Sequence, residues 1–149
     1  MARRFYAYGV LYEAGDTIGL TDKRLSDDVM RAIASNSPSK VPVLSDLGKA
    51  ISGNPDYVVG NATLAYQPKS PSGKKARLEV KAVFNNEHRR EYETLLNSPE
   101  TRHRLRFGFL LSEVKKDSKG EIIDGMITAV SLNDTGLGGY IDKFGWEEE

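Results

Sequence analysis

The sequence contains no cysteine and only two histidines. The absence of cysteine excludes a disulfide framework and any thiolate metal site, and two histidines leave little for imidazole ligation. Metal chemistry would have to rest on carboxylates. The sequence therefore predicts neither a bound metal ion nor a cofactor.

The chain also lacks an excess of charge of either sign, since 21 basic side chains balance 21 acidic ones. A protein that mainly neutralises phosphates usually carries a basic excess or a basic face. The composition therefore argues against nucleic acid as the main partner, and it leaves a local basic patch open.

Long hydrophobic runs are missing as well. The opening MARRFYAYGV has no apolar stretch long enough for a signal peptide, and no transmembrane stretch follows. We expect no membrane association, and we expect the protein to be used in a cytoplasm or packed into something assembled there.

What is present describes an ordinary globular protein. The 149 residues are 39% hydrophobic and 28% charged, which predicts a folded chain with one core rather than disorder. We expect a single domain over residues 1–149, with its core between about 5 and 141. The acidic segment 142–149 is expected to be a C-terminal tail, and its EEE end to be frayed and solvated.

Alternating apolar residues predict several strands. The segment 5–12 reads as a strand that is partly covered on both faces, and the segments 57–67 and 76–85 read as a hairpin joined by the loop 68–75. In the second hairpin strand, four apolar residues share one face: Leu78, Val80, Ala82 and Phe84.

Two segments have helical signals. Ser26 is a good N-cap for a short helix over about 27–35, with the acidic Asp27 and Asp28 in its first turn. Asn86 is the expected N-cap of a second helix. Pro99 either ends this helix or starts a further short turn.

The stretch RHRLRFGFLL, residues 102–111, predicts another strand. Leu105 and Phe107 fall on the inward face and Arg106 on the opposite one. A loop at 115–121 then leads into a further strand within 122–133. The order of elements predicts a mainly β protein of the α+β class, namely a small antiparallel β-barrel with two to three peripheral helices.

Several residues are candidates for chemistry. His88 and His103 are the possible imidazole bases, and the serines conceivable as their partners are Ser45, Ser112 and Ser131. The sequence places no serine beside either histidine, so each such pair stays one alternative among many.

Two other features have plain structural interpretations. The glycine-rich GLGG at 136–139 is not followed by the lysine and serine of a phosphate loop, so a tight turn is favoured over a phosphate cradle. The basic cluster at 102–106, with Arg89 and Arg90, is interpreted as solvated faces with helical ion pairs such as Arg89 with Glu93.

Four stretches, in this order, resemble the prohead maturation proteases of tailed bacteriophages, relatives of the herpesvirus assemblin proteases. They are FYAYGVLYEAGDTI at 5–18, VPVLSD at 41–46, LRFGF at 105–109 and AVSLN at 129–133. In that family the second stretch normally ends in the catalytic histidine, and the third carries the serine nucleophile. The resemblance covers roughly residues 5–141 and implies an assemblin-type barrel.

The resemblance also implies that the catalytic residues are absent. On this register the nucleophile position is Arg106, the histidine position falls at about Asp46, and Ala129 stands where the family often has an acid. Arginine stays protonated at pH 7 and cannot attack a carbonyl, and aspartate is a poor base for activating a hydroxyl.

The expected function follows from this resemblance. We expect a non-enzymatic virion or prohead protein, either an auxiliary (decoration) capsid subunit or an assembly factor, with the major capsid or scaffold protein as partner and a homo-oligomer as an option. The alternative is an active head maturation protease that uses Ser112 or Ser131 with His88. A third class is a small nucleic-acid-binding module.

Overall fold

The structure is a computed structural model that describes residues 3–16, 18, 23–45, 58–134 and 138–148. These residues form seven strands and three helices. In chain order they are β1 Arg3–Glu13, α1 Asp27–Asn36, β2 Lys40–Leu44, β3 Val58–Gln67, β4 Arg77–Phe84, α2 Arg89–Asn97, α3 Pro99–Arg102, β5 Leu105–Lys116, β6 Ile122–Asp134 and β7 Tyr140–Glu148.

The predicted α+β class with a mainly β chain is confirmed. The strands form one sheet in the order β5-β6-β2-β3-β4-β1-β7. The sheet is mixed, because β2 runs parallel to β6 while each other described pair is antiparallel. A parallel pair of this kind joins segments that are distant in the chain, so local sequence patterns do not predict it.

The sheet has β5 and β7 at its edges. Near the start of β7 the two edges approach each other, and the backbone N–H of Gly139 donates to the carbonyl of Phe107 at 2.9 Å. The pairing of the described strands is that of an open sheet, so full closure into the expected barrel stays a prediction.

The segment at 142–149, expected to be a tail, is described as far as Glu148, and there it forms a strand. Its residues as far as Glu148 belong to β7, which pairs with β1 along the edge of the sheet. Phe144 and Trp146 pack their rings against Phe5 of the core, with centroid distances of 6.3 and 5.3 Å. These two aromatic side chains give the acidic segment an apolar contact that its charge does not suggest.

The first helix begins where its sequence signal lies. The Ser26 hydroxyl accepts a hydrogen bond from the backbone N–H of Val29, and Asp27 and Asp28 lie in the first turn. Both features stabilise a helix N-terminus. Met30 and Ile33 are fully buried against the sheet, as their spacing predicts.

The second helix begins later than predicted, so Asn86 was wrong as its N-cap. Residue His88 occupies the N-cap position and makes no side-chain capping bond. The reason lies in the backbone, because the N–H groups of His88 and Arg89 both donate to the carbonyl of Asn85. A hydrogen-bonded turn therefore separates β4 from the helix.

The core lies on one face of the sheet, which we call the inner face. All four predicted residues of β4, from Leu78 to Phe84, are buried there, and so are Leu105 and Phe107 of β5. Small side chains occupy the middle of this face, since Ala62, Ala82 and Ala7 are cross-strand neighbours and each is at most 1% exposed. The opposite face of β3, β4 and β1, which we call the outer face, carries more polar and exposed residues.

Candidate functional site

The strands to which the family resemblance assigns catalytic positions lie side by side. The nucleophile position, Arg106, is in β5, and the position of the acid, Ala129, is in β6. The histidine position at about Asp46 follows β2 and falls outside the described residues. Since β5, β6 and β2 are consecutive in the sheet order, these segments adjoin one another.

The start of β5 and the end of β2 both pair with the C-terminal part of β6. Arg106 lies opposite Asn133, and Leu44, the last residue of β2, lies opposite Ser131 two positions earlier. Alternation along β5 explains the orientation of Arg106, because its neighbours Leu105 and Phe107 face the core. Its side chain is half-buried on the other face.

The groups at these positions have no use in acyl transfer. The Arg106 side chain has no hydroxyl or thiol and is not a nucleophile. Ala129 is buried at 3% exposure and has no titratable group. Neither residue could attack a peptide carbonyl, take up a proton from a hydroxyl or orient a base.

The serines of the protease alternative occupy three different environments. Ser112 is half-buried in β5 and its Oγ lies 3.1 Å from Oγ1 of Thr128. Ser131 has no exposed surface and lies between Gly108 of β5 and Leu44 of β2. Ser45 is exposed immediately after β2. A nucleophile must be accessible to its substrate, and Ser131 is fully buried in this conformation.

Each histidine ring contacts a group of its own helical segment. Nδ1 of His88 lies 3.8 Å from a carboxylate oxygen of Glu91, and Nδ1 of His103 lies 2.9 Å from the carbonyl oxygen of Pro99. The Ser112 hydroxyl, for its part, is held at Thr128. The geometry therefore does not assemble the pair of Ser112 and His88 that the alternative needs.

The glycine-rich segment serves close packing in the part that is described. Gly136 and Leu137 lie outside the described residues, but Gly138 has a φ of +112° and Gly139 contacts two strands. A Cβ on Gly139 would lie 2.0 Å from the carbonyl oxygen of Val10, and one on Gly138 would lie 2.4 Å from that of Phe107. The glycines allow this segment to fit between β1 and β5.

The basic cluster is arranged differently from the predicted helical ion pairs. The Arg89 guanidinium donates to the backbone carbonyl of Arg3 at 3.1 Å and lies 5.3 Å from the ring centroid of Trp146. Arg89 therefore does not pair with Glu93, whose buried Oε2 has no hydrogen-bond partner among the described residues. Stacking of Arg89 on Trp146 ties α2 to β7.

One set of residues on the outer face was not predicted from the sequence. Five side chains lie directly opposite one another across five neighbouring strands, in the lateral order Lys40, Thr63, Lys81, Tyr8 and Lys143. We call this set the lysine row. Alternation within each strand predicts which residues point outward, but the row exists only through the register between strands, which local patterns do not give.

Among the described residues, no group of three or more His, Cys, Asp or Glu side chains is placed to hold a metal ion. In the same part of the chain, no helix is long and apolar enough to cross a membrane. Comparison with known proteins adds no relative: no family model, curated protein or solved structure matches this chain.

Proposed function

We propose that the protein is a non-enzymatic capsid-associated subunit, built on a sheet like that of the prohead proteases but without their catalytic residues. The observation that carries the proposal is the side-chain chemistry at Arg106 and Ala129. These residues stand on adjacent strands at the positions that the resemblance assigns to the nucleophile and the acid.

The arrangement of the strands supports the register on which this proposal rests. Two of the resembling segments lie in the hairpin strands β5 and β6, and a third, which is far from them in the chain, forms β2 beside β6. A chance likeness of short stretches has no reason to bring these segments together in one sheet. A protein with such a sheet and without nucleophile or base would act by binding.

The partner we propose is the major capsid protein or the scaffold protein of an assembling head. Family members act inside the prohead beside these proteins, so the protein would be found in a prohead or virion. There it would serve as an auxiliary subunit of the shell or as an assembly factor, as a single copy or as a homo-oligomer.

An active head maturation protease is the competing function. It would need Ser112 or Ser131 to be activated by His88 after a rearrangement, because the structure holds the Ser112 hydroxyl against Thr128 and the His88 ring near Glu91. The two functions differ in one chemical property, which is the presence of a serine reactive enough to be modified.

Labelling with a fluorophosphonate, read out by intact mass, tests this difference. We expect the purified chain to stay unlabelled and full-length at high protein concentration, in parallel with an active serine hydrolase that labels fully. An adduct at one serine, abolished in either Ser112→Ala or Ser131→Ala, or a trimmed mass, would establish the protease instead.

Co-sedimentation with assembled capsid shells tests the binding role directly. We expect the protein to pellet with shells and to stay in the supernatant without them. Failure to pellet with shells or with scaffold cores, together with absence of labelling, would contradict the capsid-associated function.

A further inference from the structure

The lysine row crosses the outer face of the sheet from β2 to β7. Neighbouring strands are about 4.8 Å apart, so its three lysines recur at about 10 Å intervals. Lys40, Thr63 and Lys143 are exposed, whereas Lys81 and Tyr8 are half-buried. The row is therefore a line of cations open to solvent.

Aromatic rings lie among these cations. Tyr6 is on the same face as Tyr8, two positions along β1, and both are half-buried. Nζ of Lys81 lies 5.1 Å from the ring centroid of Tyr6, and Nζ of Lys143 lies 5.3 Å from that of Tyr8. Each tyrosine thus has an ammonium group beside its ring.

A groove of about 590 Å³ adjoins the row. Its cationic lining comes from Arg4, Lys40 and Lys81, and three amide side chains face the same space, those of Asn61, Asn85 and Asn86. This volume is in the range of small-ligand sites. One carboxylate, that of Glu87, also lines the groove, so three cationic side chains and three amides face one acidic group. The excess of positive charge and the amides suit an anion that carries further polar groups.

A carboxylate of β7 forms ion pairs on this surface. Glu147 accepts from Nε of Arg4 at 2.8 Å and from Nζ of Lys81 at 2.9 Å, and the bond from Lys81 lowers the pKa of Glu147. Glu79, on the same face, accepts from the hydroxyl of Tyr8 and raises the pKa of Tyr8, and the nearby Asp142 adds to that shift. This surface therefore binds anions in the protein's own structure.

The two end lysines of the row differ from the central one in their contacts with carboxylates. Within the described part of the chain, neither Lys40 nor Lys143 forms a salt bridge, whereas Lys81 is held by Glu147. Glu147 and Glu79, two carboxylates of this face, are already hydrogen-bonded within the protein and so compete less for Lys40 and Lys143.

We propose that the outer face binds single-stranded nucleic acid. Phosphates would lie at Lys40 and Lys143, bases would stack against Tyr6 and Tyr8, and the groove would take one nucleotide. An acidic peptide would satisfy the lysines equally well, but the tyrosines within the cationic row favour a ligand with planar bases. This inference goes beyond the capsid-associated function and does not depend on it.

Fluorescence anisotropy with a fluorescein-labelled oligothymidylate tests the proposal. For two phosphate contacts the slope of log K against log salt should be roughly −1.4 for a single strand. Lys40→Gln and Lys143→Gln should each reduce the magnitude of that slope by about 0.7. Tyr6→Leu should weaken binding about fivefold or more at fixed salt.

Lys116→Gln, which removes an exposed lysine of β5, is the matched control and should leave the affinity and the slope unchanged. Thermal unfolding of each variant by circular dichroism verifies that the fold is kept. Three results would overturn the proposal: no binding at about 20 mM salt, equal effects of Lys40→Gln and Lys116→Gln, or displacement of the oligonucleotide by polyglutamate at lower concentration than by unlabelled oligothymidylate.

Discussion

The backbone N–H of Gly139 donates to the carbonyl of Phe107 at 2.9 Å, and this bond joins the segment that enters β7 to the edge strand β5. Gly139 is also in contact with β1, where it leaves no space for a side chain. The packing at this junction sets how closely the two edges of the sheet approach.

Replacement of Gly139 by alanine should therefore destabilise the protein. The added Cβ would lie 2.0 Å from the Val10 carbonyl oxygen and 2.8 Å from that of Leu11. Overpacking of this kind typically costs about 1 to 3 kcal/mol in the free energy of unfolding. Chemical denaturation measures the change. Gly145→Ala is the control, because nothing lies within 4 Å of its Cβ position, and an equal loss in both variants would contradict the close packing.

A second prediction compares two neighbours in β5. Phe107 is 1% exposed in the core, so Phe107→Ala should cost roughly 3 to 5 kcal/mol of unfolding free energy. Arg106→Ala should change it by no more than about 0.5 kcal/mol, because that side chain lies on the opposite face. Urea unfolding of the two variants measures both values. Similar losses would mean that β5 is oriented differently.

A third prediction concerns the hydroxyl of Tyr12, which is buried beneath the segment that follows β1. It accepts a hydrogen bond from the backbone N–H of Leu25 at 2.8 Å and donates to the carbonyl of Asp16. Tyr12→Phe would leave the Leu25 N–H without this partner, and we expect a loss of about 1 to 3 kcal/mol in a thermal or chemical melt.

Tyr140→Phe serves as the comparison for Tyr12→Phe. Its hydroxyl donates to Glu13 at an exposed position, where water can replace the bond. We expect a loss below about 1 kcal/mol, and an effect as large as that of Tyr12→Phe would argue against the role of burial.

The stability of the fold should fall at alkaline pH because of Tyr92. Burial raises the pKa of Tyr92 to about 12, from an ordinary value of 10.0. The folded state thus holds this proton more tightly than the unfolded state. The resulting stabilisation is fully present below pH 10 and is lost as the pH rises towards 12.

Tyr92→Phe should remove part of this pH dependence while keeping the stacked contact with Phe84, whose ring centroid lies 4.3 Å away. Urea unfolding at about pH 9 and about pH 11.5 should show a smaller decline for the variant, by on the order of 2 kcal/mol. An identical decline in both proteins would show that Tyr92 ionises as freely as in the unfolded chain.

Local patterns predicted the faces of the strands and the start of α1. The alternation from Leu78 to Phe84 is a property of one strand, and the cap at Ser26 depends on the residues beside it. The start of α2 was not predicted correctly, because the N–H groups of His88 and Arg89 both donate to the carbonyl of Asn85. The residue types around Asn86 do not determine these hydrogen bonds.

The candidate sites were also predictable only in part. The outward orientation of Arg106 could be predicted from alternation alone. The proximity of β2, β6 and β5 could not, and neither could the alignment of Lys40, Lys81 and Lys143, because each depends on which strands pair and in which register.

The pairing of β1 with β7 has a consequence for how the protein folds. Arg3 lies opposite Glu148, so the first described residue of the chain pairs with the last one. Contacts between such distant residues carry a large loop-closure entropy, and sheets that depend on them fold slowly, roughly in milliseconds to seconds. While the chain is being synthesised, one edge of β1 stays unpaired until nearly all the other strands exist. A binding partner or chaperone that covers this edge during synthesis would protect the nascent chain from edge-to-edge aggregation.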